Sequence, residues 1–482
     1  MITFQPTDLL RILPEIALCA FGILVMVLDP FLAPRRRSWL GWLALAGVLA
    51  AAGSTLLTSN NPGLAFGKSI AADRFSFYFF YLFLLVAALT VLGSISYLQR
   101  DNIQHGEFYA LVLMGAAGMC FMASSTDLIM VFIGLEISSI STYILAGFRR
   151  KDALANEASA KYFLLGSFAT AFFLYGIAFV YGLTGTTNLL ELSGRLADPA
   201  QWTTLARVAL LLMFVGLAFK LSTAPFQIWT PDVYQGAPAP VTAFLSVGPK
   251  AAAFAVLLRI FLGSLSSGGS TSFWVVWISA ILTMCLGNLA ALWQTNIKRL
   301  LAYSAIAHAG YVLVGVAAGS REGTSAVLFY LTAYALMNVG VFVLIAQLTG
   351  NGETATQIDD YLGLGYARPG AAACLTVFLV SLAGFPTTAG FFGKFFLFRA
   401  AIHSHLIGLT IIALLNSVVS VYYYFRIIVA MYMREGQPRA STAALPLALR
   451  AAMVVSVAGI FYLGLFPSVF LSFANTAGIP LP

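Results

Sequence analysis

The sequence predicts a polytopic, all-α membrane protein, and three observations carry that prediction. Of 482 residues, 60% are hydrophobic and only 9% charged, with a mean hydropathy of +0.90, far from the balance of an ordinary soluble domain. The apolar stretches run about twenty residues, long enough to cross a bilayer as helices, and lack the ten-residue alternation of a membrane barrel. The interruptions between them are short and hold most of the Lys and Arg residues. In lipid the backbone must satisfy its own hydrogen bonds, which a helix does within one segment.

Apolar runs read against turn and charge signals give fourteen candidate spans. Three are centred near residues 20, 48 and 86, within an N-terminal section 1–105. The first begins in "MITFQPTDLLRILPEIALCA", which has no small-residue cleavage site and carries Arg11 and Glu15 early, so it is expected to remain as a helix. Five more lie near 115, 137, 171, 213 and 251, within 106–265, and five near 282, 308, 336, 380 and 418, within 266–435. A last helix near 460 fills 436–482. The spans near 213, 251 and 380 contain proline or glycine interruptions. The longest connections, about 59–74, 184–206 and 349–369, are too short for a catalytic domain, so 1–482 is expected to be a single membrane domain.

The net charge of +8 does not point to nucleic acid, because the basic residues are scattered through short loops or stand singly in apolar segments. Alternate loops place fourteen Lys and Arg on one side, among them Arg35, Arg36, Arg37, Arg149, Lys151 and Lys298, and seven on the other, among them Arg11, Lys68 and Arg321. The richer side is expected to be cytoplasmic, which puts both termini outside. Five of the twenty-six remain within or at the ends of spans: Lys220, Lys250, Arg259, Lys394 and Arg426. Cys19, Cys120, Cys285 and Cys374 are isolated and read as small buried hydrophobes. Their spacing argues against an iron–sulfur or haem site.

A lysine inside a transmembrane helix costs about 2.5 to 3.5 kcal/mol on insertion scales unless it pairs or faces water. Glu136, Lys220, Lys250 and Lys394 are in that position, and His308 adds a group that titrates nearer neutrality. One such residue can snorkel or form a static pair; five in one chain point to an ion path. Glu136 to Lys220 is 84 residues and His308 to Lys394 is 86. Two related five-helix units give that spacing, each with a titratable group on its second helix and a lysine on its interrupted fourth. Because five is odd, the second unit enters the membrane from the opposite side, an inverted repeat.

Pro225 follows Lys220 by five residues, and Pro386 precedes Lys394 by eight, beside Gly384, Gly390 and Gly393. Each weakens helical hydrogen bonds near the midplane, and the freed carbonyls can hold water and cations. With no nucleophile, metal cluster or phosphate cradle, these residues suit proton transfer. Burial and a nearby carboxylate act in opposite senses on a lysine's hold on its proton, so moving Glu136 relative to Lys220 switches that lysine. Lys250, His308 and Lys394 then carry the proton onward, with Ser138, Ser139, Ser141, Thr142, Ser222, Thr223, Tyr303 and Ser304 as candidate hydroxyls.

The stretches "GLEISSISTYILAGF", "KLSTAPFQIWTPDVYQGAPAPVTAFLS", "NIKRLLAYSAIAHAGYVL" and "AGFPTTAGFFGKFFLF" closely resemble the antiporter-like membrane subunits of respiratory complex I, the proton-pumping NADH:quinone oxidoreductase. The likeness runs over nearly the whole chain. It implies a fourteen-helix fold with inverted repeats and proton translocation driven by distant quinone chemistry, with Glu136, Lys220, Lys250 and Lys394 on the family's proton path. It further implies a bacterial inner membrane, which the Ala- and Gly-rich composition also suggests. Implied partners are the other antiporter-like subunits, the small membrane subunits, the lateral helix of the largest antiporter-like subunit and the lipid bilayer. FMN, iron–sulfur clusters and quinone are then bound by other subunits, and this chain has no dinucleotide fingerprint of its own. One departure is Gln227, where relatives often carry a titratable histidine. A subunit of a multi-subunit sodium/proton antiporter and a passive membrane scaffold are the alternative readings.

Overall fold

The computed structural model describes residues 5–196, 202–264 and 269–478. A short helix α1 (Pro6–Arg11) leads into α2 (Leu13–Leu28), α3 (Ser38–Ser59) and α4 (Arg74–Arg100). Then follow α5 (Gly106–Ser124), α6 (Leu128–Ala146), α7 (Ala153–Thr184), the surface helix α8 (Leu189–Arg195), α9 (Thr204–Leu221), α10 (Trp229–Gly236) and α11 (Ala239–Leu257). The second half holds α12 (Gly269–Leu292), α13 (Ile297–Ala317), α14 (Arg321–Leu348), the one-turn α15 (Leu364–Ala367), α16 (Pro369–Ala383), α17 (Ala389–His403) and α18 (Ile407–Tyr432). The described chain closes with α19 (Leu447–Leu465) and α20 (Pro467–Ala477).

Thirteen helices among the described residues are long and apolar enough to cross a membrane. Helices α16 and α17, 15 residues each and separated by a break, fall below that length; the chain is a polytopic, all-α membrane protein with broken helices, as expected. Several helices open on a polar residue that caps the first free amides. Asp73 accepts from Ser76 N at 2.8 Å, Asp127 from Ile129 N at 2.9 Å, Asp152 from Leu154 N at 3.0 Å and Asn296 from Arg299 N at 3.1 Å.

Two features depart from the sequence reading. The connection near 59–74 contains an antiparallel hairpin of β1 (Gly63–Ala65) and β2 (Ile70–Ala72), turned through Phe66, Gly67 and Lys68, all at positive φ. The section expected to hold one C-terminal helix holds two, α19 and α20. Phe466 leaves the helical region (φ −123, ψ 50) because a residue ahead of proline is pushed out of it, and Pro467 then opens α20.

The centre of the bundle is α11, α13 and α14, each buried along nearly its whole length, while α2, α7 and α18 turn wide apolar faces outward. Helix α4 runs along α14 and is pinned at both ends. Tyr78 Oη donates to Leu328 O at 2.6 Å, and Arg100 donates to Ala346 O at 2.9 Å. Two crossings are interrupted. Helix α9 stops where Ser222 turns left-handed (φ 60), with a cis peptide at Ala224–Pro225 before α10 resumes. Helix α16 stops at Gly384 (φ 89), a conformation that glycine adopts without strain, and α17 begins five residues later.

Candidate functional site

Lys220 sits on the last turn of α9, 4% exposed. Its Nζ donates to Tyr143 Oη on α6 at 3.2 Å and lies 4.8 Å from the Tyr143 ring, 5.2 Å from Tyr162 and 5.7 Å from Phe219. Aromatic faces hold a cation without an acid. The break beside it is tightly built: Trp229 Nε1 donates to Phe219 O at 3.0 Å, and Ala224 N donates to Thr283 Oγ1 of α12 at 2.9 Å. Glu136 is half-buried on α6, between the outward-facing Ile133 and Ile140. It lies in electrostatic range of Lys220 but forms no ion pair with it within 4 Å. Gln227 is half-buried, and its Oε1 finds no hydrogen bond among the described residues.

Lys250 follows Pro249 inside α11 and is 3% exposed. The proline cannot donate to the carbonyl one turn back, Leu245 O, and Tyr234 Oη takes that place at 3.4 Å. The Tyr234 ring lies 5.5 Å from Lys250 Nζ, which donates to Ala305 O of α13 at 3.2 Å. One turn along α13, His308 has a tyrosine hydroxyl on each ring nitrogen: Tyr330 at Nδ1, 2.5 Å, and Tyr424 at Nε2, 2.9 Å. Tyr424 is also bonded to Ser304. His308 feels the charges of both Lys250 and Lys394.

Lys394, on the second turn of α17 and 4% exposed, uses the break directly. Its Nζ donates to Leu382 O at 3.1 Å, to Ala383 O at 3.0 Å and to Ser417 Oγ of α18 at 2.9 Å, with the Tyr311 ring at 5.0 Å. Those carbonyls are the last two of α16, which no helical amide can reach. The expectation that broken helices free carbonyls for a cation is met here by the lysine's own ammonium. The candidate hydroxyls divide. Ser139, Ser141, Thr142 and Thr223 bond to carbonyls of their own helix or its last turn, whereas Ser304 joins the histidine cluster.

Among the described residues five cations are buried, and they fall into two classes. Arg259 donates to Asp73 at 2.8 and 2.9 Å, and Lys298 to Glu353 at 2.7 Å. Lys220, Lys250 and Lys394 have no acidic partner within 4 Å. Glu353 was not visible from sequence, since "NGETATQIDD" reads as an ordinary polar loop, yet its Oε1 also accepts from Tyr97 Oη and Ala239 N, both at 2.7 Å. Burial pushes the Glu353 carboxyl up, but the Lys298 charge and these hydrogen bonds outweigh it and hold the group below the usual carboxylate range. Lys298, counted as a loop cation, is thus half of a buried pair. Glu15 was read only as part of the first helix; it is 1% exposed, and neither carboxyl oxygen has a hydrogen-bond partner among the described residues. Arg426 donates to carbonyls through its two terminal nitrogens, Leu292 O at 2.9 Å and Gln294 O, while its Nε has no hydrogen-bond partner among the described residues.

Comparison with known proteins places this arrangement. Residues 125–420 match the family described as NADH:quinone oxidoreductase/Mrp antiporter, TM. The chain is 52% identical over 480 residues to NADH-quinone oxidoreductase subunit N 1 of Solibacter usitatus, covering 99% of each. It is 44% identical over 475 residues to NADH-quinone oxidoreductase subunit N of Trichlorobacter lovleyi, covering 98% of each. A chain in the structure of respiratory complex I from Thermus thermophilus with bound aureothin superposes with a TM-score of 0.82 at 37% sequence identity, covering 97% of this chain and 100% of that one. The chain therefore belongs to the NADH:quinone oxidoreductase/Mrp antiporter membrane family, on the branch named NADH-quinone oxidoreductase subunit N.

Proposed function

We propose that this chain is a proton-translocating membrane subunit of an NADH:quinone oxidoreductase and that Glu136, Lys220, Lys250, His308 and Lys394 form its proton path. The observation that carries the residue assignment is the division among buried cations. A lysine kept only to lock helices together is stabilised by a counter-ion, as Lys298 and Arg259 are. Lys220, Lys250 and Lys394 instead rest on tyrosine rings, hydroxyls and carbonyls, partners that bring no compensating negative charge. A passive scaffold would show the first pattern at all five. A sodium site calls for oxygen ligands, carboxylates above all, and no acid lies within 4 Å of these three lysines.

The two broken crossings support the inverted repeat over 106–265 and 266–435. In the first unit α5 packs on α6 and α7 on α9; in the second, α12 packs on α13 and α14 on α17. Lys220 and Lys394 then sit at equivalent interruptions, and Glu136 and His308 on equivalent second helices. Protons pass along α9, α11, α13 and α17, driven by redox chemistry elsewhere in the complex, where flavin, iron–sulfur clusters and quinone reside. With α16 and α17 taken as one interrupted crossing, fourteen crossings put both termini on one side, assigned to the periplasm by the excess of Lys and Arg in the opposite loops. The membrane is the bacterial inner membrane, and the partners are the other membrane subunits of the complex, including the lateral helix of the largest antiporter-like subunit.

The test is proton pumping per NADH oxidised in membrane vesicles carrying Lys220→Ala, with assembled complex quantified in parallel. Loss of pumping or turnover at normal assembly supports the path. Wild-type rate and stoichiometry in assembled complex would make Lys220 a structural cation and end the proposal.

A further inference from the structure

Helix α14 carries a polar stripe at i, i+4 and i+8, formed by Tyr330, Tyr334 and Asn338, on the otherwise apolar interior of the bundle. The first two meet His308: Tyr330 through its hydroxyl, and Tyr334 by stacking, with ring centroids 5.2 Å apart. Asn338 lies one turn further along and is fully buried. Among the described residues, neither its Nδ2 nor its Oδ1 has a hydrogen-bond partner, and neither does Tyr334 Oη. The contrast with Asn288 is direct. That residue is equally buried, yet its Nδ2 donates to Met284 O, Tyr311 Oη and Asn416 Oδ1, and its Oδ1 accepts from Tyr423 Oη. A buried polar atom left unanswered is destabilising because it has given up its water without a replacement, and here three share one helix face.

Their level in the bundle follows from the chain direction. Helices α13 and α14 are joined by a short turn and run antiparallel, so one turn from His308 toward the start of α13 lies opposite one turn from Tyr334 toward the end of α14. The first step reaches Ala305, whose carbonyl accepts from Lys250; the second reaches Asn338. An ammonium has three N–H donors, and among the described residues Lys250 spends one. Tyr234, whose ring faces Lys250, is also in electrostatic range of Tyr334. Unanswered donors of Lys250 and unanswered groups of Asn338 and Tyr334 therefore lie at one level of the bundle, on helices α11 and α14 that pack against each other and against α13. A buried water needs two to four polar partners, which this set supplies.

The geometry points to a buried water site held by Asn338 and Tyr334 that solvates the Lys250 ammonium on the side facing His308. This rests on the proton path proposed above, and it makes Asn338 a positioning residue, acting on Lys250 through bound water. The experiment uses the assembled complex containing this chain. A cryo-EM map fine enough to resolve water is expected to show density within hydrogen-bond distance of both Asn338 and Tyr334; a map in which both side chains turn to protein partners with no water between them overturns the inference. Asn338→Leu and Tyr334→Phe are expected to slow NADH-driven turnover about tenfold, the scale of one water-mediated bond lost from a transfer step. Asn338→Ser, which keeps a donor and an acceptor, is expected to recover most of the rate. If Asn338→Leu fails to assemble, Tyr334→Phe, which removes one oxygen atom, carries the test. Wild-type turnover in Tyr334→Phe, or a serine variant as slow as the leucine one, refutes the water site. Lys250→Ala separates the two claims: if it is inactive while the water-site variants are normal, only this inference falls; if it turns over normally, the proton path falls with it.

Discussion

Glu353→Gln is expected to loosen the cytoplasm-assigned end of the bundle by about 4 kcal/mol, and the structure supplies the terms. The carboxylate receives Lys298 Nζ, Tyr97 Oη and Ala239 N, each at 2.7 Å, with Arg149 at 4.0 Å. Lys298 is 0% exposed and, among the described residues, otherwise bonds only Ala237 O, at 2.6 Å. The amide keeps the shape but removes the countercharge and turns an acceptor into a donor facing donors. Breaking a buried pair from one side costs about 3 to 5 kcal/mol because the remaining charge is stranded. Lys298→Met is expected to cost less, since Glu353 keeps Tyr97, Ala239 and Arg149. The double variant Lys298→Met/Glu353→Gln is expected to be more stable than Glu353→Gln alone. The assay is the thermal stability of solubilised complex together with its assembled amount. A group held below its ordinary value of 4.5 contributes its full stabilisation above that pH and loses it only as pH falls through the lower folded value. No change from this pair is therefore expected between about pH 5 and 8. A Glu353→Gln complex as stable as wild type, or a double variant worse than both singles, would refute the reasoning.

Three further outcomes are expected. Tyr143→Phe removes the one hydrogen bond that Lys220 makes among the described residues while leaving the ring in place; turnover should fall about tenfold at full assembly, read by NADH oxidation against complex content. Lys394→Ala should abolish pumping while Ser417→Ala, which removes one of three acceptors, should only reduce it, as measured by proton uptake in vesicles. Gly390→Ala should reduce assembled complex severely, because a Cβ there would stand 1.8 Å from Ser381 O across the break, and blue-native gels would show it.

The spans, the interruptions and the intramembrane lysines were legible because each rests on local pattern: an apolar run, a proline or glycine, a charge where lipid forbids one. What the sequence could not disclose depends on which distant segments meet. Lys298 and Glu353 lie 55 residues apart, and nothing in either neighbourhood marks a buried pair. The distance between Glu136 and Lys220 was likewise not readable: Glu136 lies beyond ion-pair distance beside outward-facing isoleucines, because helix rotation is set by packing that no single-helix pattern encodes. The tyrosines around the lysines were hidden for a different reason: twenty tyrosines in an aromatic-rich chain give no signal until their hydroxyls are placed.

The three contacts of Lys394 carry an arithmetic of their own. Leu382 O, Ala383 O and Ser417 Oγ are three acceptors around a nitrogen that has three hydrogens while charged and two once neutral. When the proton departs, a lone pair takes the place of a hydrogen, and one acceptor is left facing it. Two of the three belong to the severed end of α16 and the third to α18, so the deprotonated lysine cannot keep both elements as they were, unless the serine hydroxyl turns round to donate. Charge at this position is therefore counted in hydrogens that join one helix end to another, and the occupancy of a single proton becomes a mechanical variable of the fold.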